Sequence, residues 1–174
     1  MKDFIVITLG TGLGSGIVVN GDLVYGHDGF AGELGHTFVY MDSGRKCGCG
    51  RRGCLETYAS ARGIKRTVFE LMADQIKVSE LRNLSFNEMT SEHIFHAAKQ
   101  GDRIAKEAFD LTGQYLGMKL ADSVAHTSPE AIFLYGGLAK SGNLILNPTI
   151  KAFDDHVMNI FKGKVSIRSS ELNG

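Results

Sequence analysis

Apolar and polar positions divide the chain into short strands first and long helices later. Phe4-Ile5-Val6-Ile7-Thr8-Leu9 is a β-branched apolar run and predicts a buried strand. Ile17-Val18-Val19 predicts a second strand. Asn20-Gly21 is a hairpin turn signal, and Leu23-Val24-Tyr25 a returning strand. Residues 26–56 are rich in glycine and lack periodicity, so they read as irregular loop. A helical pattern begins near Glu56 and runs through Met72. Thr90-Ser91-Glu92 predicts the cap of a helix ending near Lys99, and Gly101-Asp102 separates it from a long helix over Arg103 to His126. On that helix Ile104, Ala108, Leu111, Tyr115 and Met118 form a stripe, widened by Phe109, Leu116 and Leu120. Ser128-Pro129 ends it. Ala131–Tyr135 predicts another buried strand, turned by Gly136-Gly137. A helix follows over Leu144 to Phe161; Pro148 argues for a start at Asn147. Val165–Arg168 predicts a last strand.

The order is three strands, helix, strand, helix, strand. A meander followed by right-handed crossovers builds one mixed α/β sheet covered by helices. By fold-level analogy this is one lobe of the actin-like, ribonuclease H-like ATPases.

Composition narrows the class. At 43% hydrophobic and 22% charged residues, the 174-residue chain suits one packed domain. Lys+Arg and Asp+Glu balance at 19 each, which leaves no net field for a phosphate backbone or an anionic membrane. Neither a membrane-length apolar run nor a signal-peptide pattern is visible, so the expected location is cytoplasmic.

All three cysteines fall between Cys47 and Cys54. With His36 they make the pattern His-x10-Cys-x-Cys-x4-Cys in a glycine-rich loop. Three thiolates and an imidazole fill a tetrahedral Zn²⁺ shell, so a zinc there is structural. Arg45, Lys46, Arg51 and Arg52 surround the cysteines and are expected to offset the negative charge. The competing reading, free loop cysteines, fits poorly with such clustering. The ladder Gly10-Thr11-Gly12-Leu13-Gly14-Ser15-Gly16 reads either as an anion-cradling loop or as a plain tight turn. It matches neither a dinucleotide fingerprint nor a P-loop. Glu33, His36 and Glu56 suit sugar hydroxyls, which both donate and accept; from composition alone they read equally as surface groups and a zinc ligand. Gly136-Gly137 lies at a strand's carboxyl end, where α/β sheets bind ligands, or is a simple turn. His27, His93, His96, His126 and His156 have no partner pattern.

Together these segments resemble the ROK family of sugar kinases, from about Asp3 to Leu172. The carriers are Gly10 to Gly16, Gly26 to His36, Cys47-Gly48-Cys49-Gly50-Arg51-Arg52-Gly53-Cys54-Leu55-Glu56, and Ile132 to Gly137. The resemblance implies that His36, Cys47, Cys49 and Cys54 bind zinc. It implies that Glu33, His36 and Glu56 contact sugar, that Thr11 and Gly12 approach the ATP phosphates, and that Gly136 and Gly137 approach adenosine. The implied reaction moves the ATP γ-phosphoryl group to a sugar hydroxyl, most often the 6-hydroxyl of glucose, with Mg²⁺. The implied partners are a sugar and ATP, without nucleic acid or membrane, in a homo-oligomer, expected to be a dimer. The family's first phosphate motif and its Asn-Asp pair, whose Asp is the general base, do not occur here. Residues 1–174 are therefore expected to be a C-terminal domain, with a zinc loop over 36–56, lacking the N-terminal lobe and a closing helix after Glu171-Leu172-Asn173-Gly174. No catalytic residue is then expected within the chain, which alone should be inactive. ROK repressors share the zinc loop and sugar pocket, so a sugar-sensing repressor domain is the alternative. A zinc-stabilised interaction module is a third reading.

Overall fold

The computed structural model describes residues 1–41 and 43–170, so the closing stretch Glu171 to Gly174 lies outside the described residues. Five strands form one sheet in the order β3-β2-β1-β4-β5. They are β1 (Phe4–Leu9), β2 (Leu13–Val19), β3 (Asp22–Leu23), β4 (Ala131–Tyr135) and β5 (Ser166–Ser169). β1 pairs antiparallel with β2 and parallel with β4, and β4 runs parallel to β5. The helices are α1 (Ala61–Asp74), α2 (Ser91–Lys99), α3 (Arg103–Thr127) and α4 (Asn143–His156). This is the expected α/β mixed sheet with helices.

Register decides which side chains enter the core. Ile5 faces Ile132 and Ile7 faces Leu134, and Ile132 in turn faces Ile167. All five are buried in the core beneath the helices. Alternation sends Phe4, Val6, Phe133 and Tyr135 to the opposite face, where they are only half-buried. With Arg168 they border an open groove of about 560 Å³. β1 and β4 are therefore buried on one face, not both as their unbroken apolar runs predicted.

The second strand is longer than expected because Gly14, Ser15 and Gly16 belong to it. The returning strand shrinks to Asp22–Leu23, leaving Tyr25 exposed. Thr90 caps α2 in a capping box with His93, whose Nδ1 accepts the Thr90 N–H. On α3 the buried face centres on Ala105, Phe109, Thr112, Leu116 and Leu120. Leu111, Tyr115 and Met118 sit at its margin, so the predicted stripe is displaced around the helix.

That rotation follows from how closely α4 lies. A Cβ on Gly117 would stand 2.2 Å from the Thr149 carbonyl oxygen, and one on Gly113 would stand 2.6 Å from the Pro148 ring. The two glycines let backbone meet backbone, and side-chain hydrogens set the face that turns inward. α4 begins at Asn143 and encloses Pro148, rather than starting at Asn147. The ring lies over Gly113, and this packing offsets the missing helical hydrogen bond. The helix also ends at His156, with a separate turn at Asn159–Phe161.

We expect Gly117→Ala to destabilise the fold by about 1–3 kcal/mol through overpacking. Thermal unfolding should show a lowered Tm, whereas Lys106→Ala at an exposed position of the same helix should change it little.

Candidate functional site

The site is assembled at the carboxyl ends of β1 and β4, where several loops converge. Leu9 pairs with Leu13, so Gly10-Thr11-Gly12 is the three-residue turn of the β1–β2 hairpin. The Leu138 N–H bonds the Leu9 carbonyl at 3.1 Å, which seats the Gly136-Gly137 turn beside the first one. Parallel pairing of β1 with β4 brings these distant glycine pairs to the same end of the sheet.

Residues 26–56 are not wholly irregular. The Val39 N–H bonds the Gly53 carbonyl at 2.7 Å and the Leu55 N–H bonds the Thr37 carbonyl at 2.9 Å. A second small bridge pairs Lys46 with Arg52, and the Cys47 N–H bonds the Arg51 carbonyl at 2.9 Å. The segment is thus a hairpin laid across a short extended strand. Its folding brings His36, Cys47, Cys49 and Cys54 together, with one ligand atom from each lying within 4.8 Å of all the others. His36 Nδ1 is 3.6 Å from Cys47 Sγ, and Cys49 and Cys54 sulfurs are 3.6 Å apart. Sulfurs on a tetrahedral zinc with Zn–S of about 2.3 Å stand about 3.8 Å apart. The four donors therefore fit a closed zinc shell in number, chemistry and spacing.

Without metal, the thiols are unlike one another. Hydrogen bonds from the Arg51 backbone and then its guanidinium hold Cys49 down at about 6. Burial pushes Cys54 up to about 12, and burial also raises Cys47. Arg51 also donates to the His36 carbonyl at 2.9 Å, so it spans the cluster. It is the one predicted cation that offsets the sulfurs.

Arg45 does something else. Its guanidinium bonds the Thr57 carbonyl at 2.7 Å, the Gly63 carbonyl at 3.1 Å and Thr67 Oγ1 at 3.0 Å, and forms an ion pair with Glu70. It also lies over the Tyr58 ring at 4.4 Å from the centroid. Arg45 therefore pins the cysteine hairpin to α1. Tyr58 in turn stacks with Tyr40 and Tyr115, tying the hairpin to α3. No spacing rule announces this arrangement.

The three predicted sugar contacts fall in one line with the metal cluster. His36 Nε2 stands 3.9 Å from a Glu33 carboxylate oxygen, while Nδ1 faces Cys47. Cys47 Sγ stands 3.8 Å from Glu56 Oε1. Glu56 Oε2 accepts the Leu13 N–H at 3.1 Å. A Cβ on Gly12 would sit 2.2 Å from that oxygen, so the carboxylate as placed occupies the space a side chain there would need. Glu56 thus supports the glycine turn directly. Ser15, read from sequence as part of the phosphate ladder, instead donates to the Gly32 carbonyl and accepts the Leu34 N–H at 3.1 Å. It holds the Glu33–His36 turn against β2.

Around Gly137 a cleft of about 400 Å³ is bordered by Ser91, Phe95 and His96 of α2 and by Ser141. In the sequence His96 has no partner pattern and Phe95 carries no signal of a site. Only the chain's return through α2 puts them beside the glycine pair.

The chain matches the sequence pattern of the ROK family over residues 1–173. It is 39% identical over 160 residues to a glucokinase of Halalkalibacterium halodurans, covering 90% of this chain and 48% of that one. It is 28% identical over 172 residues to the DNA-binding transcriptional dual regulator NagC of Escherichia coli, covering 99% of this chain and 41% of the regulator. The ROK family glucokinase of Streptomyces griseus, solved in complex with glucose and AMPPNP, superposes with a TM-score of 0.89 at 34% identity, covering 99% of this chain and 57% of that one. The chain thus spans about half the length of the curated relatives it matches. Among the described residues, no helix is long and apolar enough to cross a membrane.

Arg45→Ala should cost at least about 2 kcal/mol, the worth of one hydrogen bond to a charged group (about 1.5–3 kcal/mol), and the ion pair with exposed Glu70 adds little. For a chain of this size the Tm should fall by at least about 4–8 °C. Arg45→Lys should not restore it, because an ammonium cannot span the three acceptors.

Proposed function

The chain belongs to the ROK family, and from that premise we propose that it is the C-terminal sugar- and ATP-binding domain of an ATP-dependent hexokinase acting on glucose. The observation that carries this reading is the continuous line Glu33–His36–Cys47–Glu56, ending on the Gly10–Gly12 turn. Carboxylates and an imidazole at one end suit sugar hydroxyls, and glycine amides at the other suit phosphates.

In this reading Glu33, His36 and Glu56 form one wall of the sugar pocket. His36 gives Nδ1 to the metal and keeps Nε2 for the sugar. Thr11 and Gly12 receive the ATP phosphates, and Gly136 and Gly137 border the adenosine. Zinc, held by His36, Cys47, Cys49 and Cys54, is structural and locks the hairpin that carries Glu56. Mg²⁺ accompanies the nucleotide. Phosphoryl transfer relies on positioning and charge neutralisation, and this domain supplies positioning. The general base, an Asp by family resemblance, is proposed to come from a preceding lobe. Cytoplasmic glycolytic work, carried out as a dimer, completes the proposal.

Similarity to NagC over 99% of the chain favours a second reading, the sugar-sensing domain of a ROK repressor. The two readings separate on ATP: a repressor domain has no need of it. An interaction module stabilised by zinc would bind neither ligand.

Protein purified without added metal should contain about one zinc per chain by elemental analysis. At neutral pH the low Cys49 is already ionised, whereas Cys47 and Cys54 must each give up a proton to the metal. Affinity should therefore fall as pH falls, with release of roughly two protons per zinc near pH 7. A chain that is fully folded and metal-free counts against the zinc site.

The isolated chain should show no turnover with glucose and ATP in a coupled assay. Rates in the usual kinase range of ~1–100 s⁻¹ would sink the two-lobe reading. In the full-length protein, Glu56→Gln should lower kcat/KM for sugar by a few-fold to ~100-fold, as expected for a charge-assisted hydrogen bond. The amide oxygen still accepts from Leu13, so KM for ATP should hold. Glu56→Ala removes that support and should impair both substrates. Thr11→Ala should harm ATP use more than sugar use.

A further inference from the structure

Three cations have no role in the reading above. Lys46, Arg62 and Arg66 border a small cleft of about 170 Å³ that Thr11 and Gly12 also line. Lys46 comes from the cysteine hairpin. Arg62 and Arg66 lie four residues apart in the first turns of α1 and so share a face. Among the described residues, none of the three forms an ion pair, whereas Arg45, Lys77, Lys119 and Lys151 each have a carboxylate partner. The Arg66 guanidinium donates to the Lys46 carbonyl at 3.1 Å, which holds these two elements side by side.

Like charges gathered around so small a volume give it a positive potential that attracts an anion. The one carboxylate bordering the cleft, Glu56, is already engaged with the Leu13 N–H and the Cys47 sulfur. α1 also begins at this point, with Ser60 as its cap, so the helix adds partial positive charge. The volume is below the ~300–1,000 Å³ of a site for a whole drug-sized molecule, which suits phosphate groups and not a complete nucleotide. Two guanidinium forks match phosphate oxygens in pairs.

We propose that Lys46, Arg62 and Arg66 form a polyphosphate-binding cleft that holds the outer phosphates of the phosphoryl donor. This rests on the reading of Thr11 and Gly12 as phosphate neighbours and extends it to the cations that line the same cleft. The shared ligand chemistry is a chain of linked phosphates. Its source is either the tail of a nucleoside triphosphate or inorganic polyphosphate.

Calorimetric titration of the intact chain with tripolyphosphate, ATP and adenosine at low salt tests the proposal. Lys46→Gln with Arg62→Gln should weaken tripolyphosphate binding tenfold or more. Both residues are exposed, so the circular dichroism and Tm of this double variant should match the parent. Arg66→Gln should weaken binding several-fold by itself. Binding by the parent should also weaken several-fold between roughly 50 and 200 mM salt, as screening of exposed charges requires. Unchanged tripolyphosphate affinity in the double variant, or no tripolyphosphate binding by the parent chain, overturns the proposal. Adenosine carries no phosphate and should bind parent and double variant alike. If adenosine and ATP gain nothing over tripolyphosphate while the double variant still loses it, the nucleotide reading fails, the cleft stands, and inorganic polyphosphate is its source.

Discussion

The Glu56 carboxylate accepts the Leu13 N–H with one oxygen and faces the Cys47 sulfur with the other, and the functional end of the molecule is organised around it. The position demands three independent conditions. Gly12 must lack a side chain, or its Cβ would collide with the carboxylate. The cysteine hairpin must close, or Glu56, two residues after Cys54, has no fixed place. The β1–β2 turn must present Leu13, which β-pairing with Leu9 ensures. The half-buried carboxylate touches the hairpin through Cys47 and the turn through Leu13. It therefore links the His/Cys cluster to the glycine turn through a single side chain.

The hairpin is held from outside as well. Arg45 reaches three acceptors near or on α1, and Tyr58 links the same region to Tyr40 and Tyr115. Burial and the bond from Tyr40 push the Tyr115 phenol up, so it stays neutral and serves as packing. α3 thereby supports the site on one side while gripping α4 through Gly113 and Gly117 on the other. One long helix connects the sheet's packing to the loop's position. This explains why a loop so rich in glycine keeps a defined shape.

Charge is distributed unevenly despite a net of zero. Arg51 and Arg45 are consumed in holding the hairpin, one at the sulfurs and one at α1. Lys46, Arg62 and Arg66 are left around a cleft next to the glycine turn. Composition averages these apart. A balanced total says nothing about a local excess, because screening makes only neighbours within about 10 Å matter.

Strand and helix identities were legible in the sequence because periodicity and caps are local. Phe4–Leu9, the Thr90 cap and the long third helix follow from residues a few positions apart. The cysteine cluster was legible for the same reason: its ligands are close in the chain and chemically distinctive. What lay outside that reach depended on contacts between distant segments. The inward face of α3 was decided by Gly113 and Gly117 meeting α4, and the start of α4 by Pro148 finding space over Gly113. Arg45 looked like one more cation near the sulfurs until α1 folded across it. Phe95 and His96 reached the Gly137 cleft only through the return of α2. The sequence by itself determined which segments form strands, helices and the cysteine-bearing loop, since those are settled by near neighbours. Tertiary structure alone decided that Glu56 joins the His/Cys cluster to the glycine turn, because that contact spans 43 residues and exists only when the sheet and the hairpin are both in place.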